Sequence, residues 1–119
     1  MATLGRGIVN TILSASATGN GATYSVPLTN AQAGDYNSTY AWQTNVTGGP
    51  TALSCTLEGS LDGTTWLTID TNTATTSALR VVNLANPNAG PYAFLRAALG
   101  TLTGGTSPTV TILLTLGRT

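Results

Sequence analysis

The chain of 119 residues contains no His, no Lys and one Cys, and only 7% of its residues are charged. Without His there is no imidazole for a Ser-His-Asp triad, a Cys-His dyad or an ordinary His-ligated zinc site. A lone cysteine, Cys55, excludes an intramolecular disulfide. It sits in Leu53-Ser54-Cys55-Thr56-Leu57, where strand alternation puts it on one face with two leucines, so it reads as a core thiol. The four basic residues, Arg6, Arg80, Arg96 and Arg118, are scattered and balanced by Asp35, Glu58, Asp62 and Asp70. No basic stripe could neutralise a row of phosphates, and nucleic acid is not an expected partner. No run approaches the ~20 apolar residues of a membrane-spanning helix. The apolar stretch after Arg6 is short for a signal peptide and is broken by Asn10 and Thr11, so neither export nor membrane insertion is expected.

What is abundant is threonine, about a fifth of the chain. Its β-branched side chain suits a half-exposed pleated surface, and its hydroxyl wets a surface that charge does not. With a formal net charge of +0 there is little self-repulsion to oppose association. Clusters of Gly, Pro, Asn, Ser and Thr leave apolar runs of strand length. The candidate strands are Gly7 to Leu13, Ala22 to Leu28, Thr39 to Val46, Ala52 to Ser60, Thr65 to Asp70, Leu79 to Leu84, Tyr92 to Leu99 and Val110 to Leu116. About eight short strands separated by turn signals predict an all-β fold, a single antiparallel β-sandwich of jelly-roll or immunoglobulin-like type. No linker or repeat divides the chain, so residues 1–119 form one domain, with residues 1–6 expected as a flexible N-terminal arm.

The Asp62-Gly63 pair is the sharpest local signal, because it supplies a residue tolerant of positive φ followed by one that adopts it freely. A three-residue loop, Asp62-Gly63-Thr64 with Gly63 left-handed, pairs Leu57 with Ile69 and Gly59 with Leu67, keeping apolar opposite apolar. That register puts Trp66 on the opposite face, beside Ser60 and near Glu58. Apolar residues also recur on both faces of other strands: Val81 with Val82, Phe94 with Leu95, and Leu113 with Ile112 and Leu114. A second apolar face points either to a second contact, with Trp66, Glu58, Trp42, Phe94 and Arg96 as the candidate interface residues, or to ordinary exposed apolar residues and a Trp that plugs the sandwich core.

Little here points to catalysis. Glu58 could approach Asp70 from a neighbouring strand, but Asp62 is explained by its turn, Asp70 by ending a strand and Asp35 by a loop. Asp62, Asp70 and Asn72 are thinly spread for a calcium site, and no cofactor or metal is expected. The aromatics Tyr24, Tyr36, Tyr40, Trp42, Trp66 and Tyr92 could stack on a sugar, although at strand spacing core and interface packing explain them better. The sequons at Asn37 and Asn45 are ordinary in so Thr-rich a chain.

Three segments carry a resemblance: Leu57-Glu58-Gly59-Ser60-Leu61-Asp62-Gly63-Thr64-Thr65-Trp66, the closing stretches Phe94 to Leu99 and Leu102 to Thr111, and the entry Ser16 to Ala22. Together they resemble small structural proteins of tailed bacteriophages. The resemblance implies a β-sandwich virion component of the capsid decoration (cement) type, made in the host bacterial cytoplasm and seated on the major capsid protein among other virion subunits. It also implies a homo-oligomer, with a trimer favoured, and no enzyme activity. The Ser, Asp-Gly and Trp spacing followed by Arg96 is similar as well to discoidin-like carbohydrate-binding jelly rolls, which implies as the alternative a carbohydrate-binding module of a phage tail or adhesin.

The turn assignment is directly testable. Gly63→Val should lower folding stability by about 1–3 kcal/mol, the usual cost of a strained backbone position, with Gly63→Asn milder. An unchanged denaturation midpoint for Gly63→Val would place the turn elsewhere.

Overall fold

The computed structural model describes residues 2–4, 8–26, 39–83, 86, 88 and 92–117. Among these, nine strands form two antiparallel sheets: β1 (Asn10–Ala15), β2 (Gly19–Asn20), β3 (Tyr24–Ser25), β4 (Thr39–Thr47), β5 (Ala52–Ser60), β6 (Leu67–Asn72), β7 (Ala78–Val82), β8 (Phe94–Thr103) and β9 (Thr109–Gly117). One sheet has the order β1-β9-β4-β7 and the other β2-β8-β5-β6, with β3 also paired to β8. The fold is a β-sandwich, as the alternation predicts. In β4 and β5 alternate residues are buried, and Tyr40, Trp42, Cys55, Leu57, Leu95, Leu99, Ile112 and Leu114 meet between the sheets. Burial pushes the Cys55 thiol up to about 11.

Three local departures from the expected pattern have physical reasons. Phe94 starts a strand that runs to Thr103, past Gly100, instead of ending near Leu99. The glycine is the extra residue of a bulge, since Ser54 pairs with Thr101 and Cys55 with Leu99. The β5–β6 hairpin pairs Gly59 with Leu67 as expected, but Leu57 lies opposite Asp70, not Ile69. Ile69 bulges out of the ladder, which keeps its side chain buried and brings the Asp70 carboxylate to the gap between the sheets. The N-terminal residues are not wholly a free arm. Thr3 forms a parallel bridge to Ser25, Leu4 N donates to Ser25 O at 2.9 Å, and the Leu4 side chain is buried because the core offers it an apolar site. Residues 5 and 6 lie outside the described residues.

Asp70 closes the sandwich between the edge strands β6 and β7. One carboxylate oxygen accepts from Trp42 Nε1 at 2.9 Å, and the two oxygens take a bidentate pair from Arg80, at 2.7 Å from Nε and 3.0 Å from a terminal nitrogen. Burial opposes the Asp70 charge, but the hydrogen bonds from Arg80 and Trp42 outweigh it, so its pKa falls below the ordinary value. One step along, buried Asn72 donates to Thr44 Oγ1 at 2.9 Å, so a polar seam ties the sheets on this side.

With no His to titrate, folding stability should be flat between about pH 5 and 8. The depressed Asp70 pKa makes its contribution complete above the unfolded value near pH 4 and lost as pH falls through the folded value. The raised Cys55 pKa acts at the other end, its contribution lost as pH rises through about 11. Urea midpoints across this range check the shape, and Asp70→Asn should make the acid limb shallower, leaving the part that Asp62, whose pKa is also lowered, contributes.

Candidate functional site

The outer face of the five-stranded sheet carries a cluster in which Trp66, Glu58, Arg96 and Phe94 converge. Glu58 and Arg96 lie directly opposite each other on β5 and β8, and Ser60 lies opposite Phe94. Arg96 Nε donates to Glu58 Oε1 at 2.6 Å, with both side chains largely covered. The guanidinium stands 4.2 Å from the centroid of the Trp66 ring. One carboxylate thus holds an arginine, and the arginine caps an indole face, an arrangement worth about 0.5–1 kcal/mol for a partly exposed cation–π pair.

The hairpin tip beside Trp66 is held by its own polar atoms. Ser60 Oγ accepts from Gly63 N at 2.9 Å and Asp62 N at 3.2 Å, and donates to Asp62 Oδ1 at 3.0 Å. That same Oδ1 accepts from Thr64 N and Thr65 N, each at 2.8 Å. These backbone amides, with the Ser60 hydroxyl, hold the Asp62 carboxyl well below the usual carboxylate range. Gly63 has φ +80°, the left-handed conformation the Asp-Gly pair predicts.

Beneath the tip lies an open groove of about 510 Å³ bordered by Leu61, Trp66, Leu67 and Tyr92. Its shape depends on Gly59, because a Cβ there would collide with the Tyr92 ring lying over it. The Tyr92 hydroxyl donates to Asn88 O at 2.6 Å, which fixes the ring. Leu61 is 75% exposed and Leu67 is 48% exposed, so the groove carries more apolar surface than the turn requires.

No family model matches the chain, and no curated protein matches it. The fold is similar to that of a solved structure, the SPBc2 prophage-derived protein YomS, with a TM-score of 0.55 over 92% of each chain. Sequence identity is 9%, so the likeness is one of fold.

Of the candidate interface residues, Trp66, Glu58, Arg96 and Phe94 are brought together and partly exposed. Trp42 is not among them. It is 1% exposed in the core, where its indole N–H meets Asp70. Tyr40 is also buried, Tyr36 lies outside the described residues, and of the five described tryptophans and tyrosines only Trp66 and Tyr92 share the groove. Glu58 and Asp70 do not pair: the former lies on the outer face with Arg96, the latter between the sheets with Arg80. Among the described residues no cluster of three or more His, Cys, Asp or Glu could hold a metal ion. Sequence reasoning named Trp66 and Tyr92 among the aromatics that could stack on a ligand, but missed Leu61 and Leu67 as groove residues. A glycine at a core-facing strand position, Gly59, was the available sign that a ring fills its space.

The two tryptophans should therefore separate cleanly. Trp42→Ala should cost about 3–5 kcal/mol, the toll for an enclosed aromatic, whereas Trp66→Ala should cost about 1–2 kcal/mol, reflecting partial burial and a cation–π contact. Chemical denaturation of both variants checks the order.

Proposed function

We propose that this protein is a bacteriophage virion structural protein of the capsid decoration type, which binds the major capsid lattice through the Trp66 groove. The observation that carries the reading is a built apolar groove, bordered by Leu61, Trp66, Leu67 and Tyr92, beside charges that already satisfy one another. Such a surface suits a protein partner recognised by shape and apolar burial. The resemblance of three segments to phage structural proteins supports the phage assignment, as does a fold similar to that of a prophage-derived protein. The action is passive. A protein that binds the assembled lattice and not its loose subunits stabilises the assembly by mass action. Catalysis has no part in this reading, nor does a cofactor.

The groove's two aromatic rings favour one second reading, a sugar seated between Trp66 and Tyr92, as in a carbohydrate-binding module of a tail or adhesin.

Co-sedimentation with empty capsids of the encoding phage tests the proposal. Leu61→Asp alters a residue that makes no core contact, and it should leave melting unchanged while weakening capsid binding at least about tenfold. Unaltered capsid binding by Leu61→Asp would take the groove out of the contact, and an unsubstituted protein that fails to sediment with capsids would overturn the decoration reading. Loss of binding on a glycan array, with capsid binding intact, would establish the sugar reading in its place.

A further inference from the structure

The sandwich has sheet edges at β1, β2 with β3, β6 and β7, and they are not alike. An unpaired edge is a template for another strand, and soluble proteins blunt it with bulges, short strands, Pro or Lys. β1 is bulged between Thr11 and Leu13, and β6 is bulged at Ile69. β2 and β3 are two residues each, and β3 is flanked by Thr3. β7 has no bulge, Pro or Lys, and its one charged residue, Arg80, lies opposite Trp42 on the core-facing side and is paired with Asp70. Its five residues, Ala78-Leu79-Arg80-Val81-Val82, pair with β4 in unbroken register, and no described strand lies on its other side. Leu79 and Val81 are each 65% exposed.

The geometry points to β7 as the edge through which a second copy of this chain adds, antiparallel, about a two-fold axis at Arg80. The strand is self-complementary about that residue: the axis sets Leu79 of one copy opposite Val81 of the other, and the reverse, on one outer face. Charge complementarity favours a second copy over a charged partner. Arg80 is already neutralised by its bidentate pair with Asp70, so the axis brings no bare cations together, and the chain has no net charge to oppose approach. The product is a continuous eight-stranded sheet across two copies. It is a dimer, a two-fold contact in place of the three-fold one implied by the resemblance to decoration proteins. A strand pair with four apolar side chains falls short of the roughly 1,200 Å² of a standard interface, so the dimer forms at high concentration or where a surface gathers the copies.

Sedimentation equilibrium of the full chain up to about 1 mM tests this, since interfaces below standard size are weak and transient. A monomer–dimer equilibrium is expected, weakened at least about tenfold by Val81→Lys, which places a charge on the edge. Ser16→Lys, the same charge on the exposed β1–β2 turn, should leave it unchanged. Hydrogen exchange at β7 amides that slows with concentration gives the same reading without a substitution. Monomer throughout, a trimer, or a dimer indifferent to Val81→Lys would overturn it. The inference is independent of the virion reading: a monomer would leave capsid binding standing, and an unsubstituted protein that does not bind capsids would leave the dimer standing.

Discussion

The structure depends on one partly buried carboxylate. Asp70 accepts the indole N–H of Trp42 and the guanidinium of Arg80, and so joins the core of one sheet to the edge of the other. A buried tryptophan needs a partner for its N–H, and Asp70 supplies it. The Ile69 bulge is what places the carboxylate there, keeping Ile69 in the core at the same time. Arg80 is thereby held toward the seam, and its neighbours Leu79 and Val81 are left on the outer face of β7. The bulge, the core tryptophan and the exposed edge meet at one contact.

The same economy runs through the other described charges. Glu58 is taken up by Arg96, and Asp62 by the amides of its own turn. With these groups satisfied internally, what the described surface offers is the hydroxyls of a Thr-rich chain and large apolar side chains at three places, the groove beneath the hairpin, the β7 edge, and Ile8 with Val9 ahead of β1. Threonine keeps such a surface wet without long-range repulsion, which suits the proposed place among other virion subunits. In the proposed role recognition rests on shape and burial, with few charges available to steer it.

Much of this was legible in the residues, and the gaps have particular causes. Alternation in 52–60 located β5 at its observed bounds, and the Asp62-Gly63 turn located Trp66 on the outer face. Trp42 looked equally available, because alternation says which residues share a face but not which face is enclosed. Its place in the core follows from Asp70, which read as a strand-ending residue since a bulge leaves no mark on local composition. Gly100 misled for a related reason: the same residue type ends strands and fits bulges. Leu4 could not be assigned to the core from residues 1–6 alone, because its burial depends on a bridge to distant Ser25.

The central claim is that partners are recognised by apolar surface while the described charges serve the fold. The salt dependence of capsid binding measures this most directly. Between about 50 mM and 500 mM salt, where the Debye length contracts from roughly 14 Å to 4 Å, affinity should hold steady or rise slightly. A steep fall in affinity over that range would show that charges carry the contact, and would contradict the account.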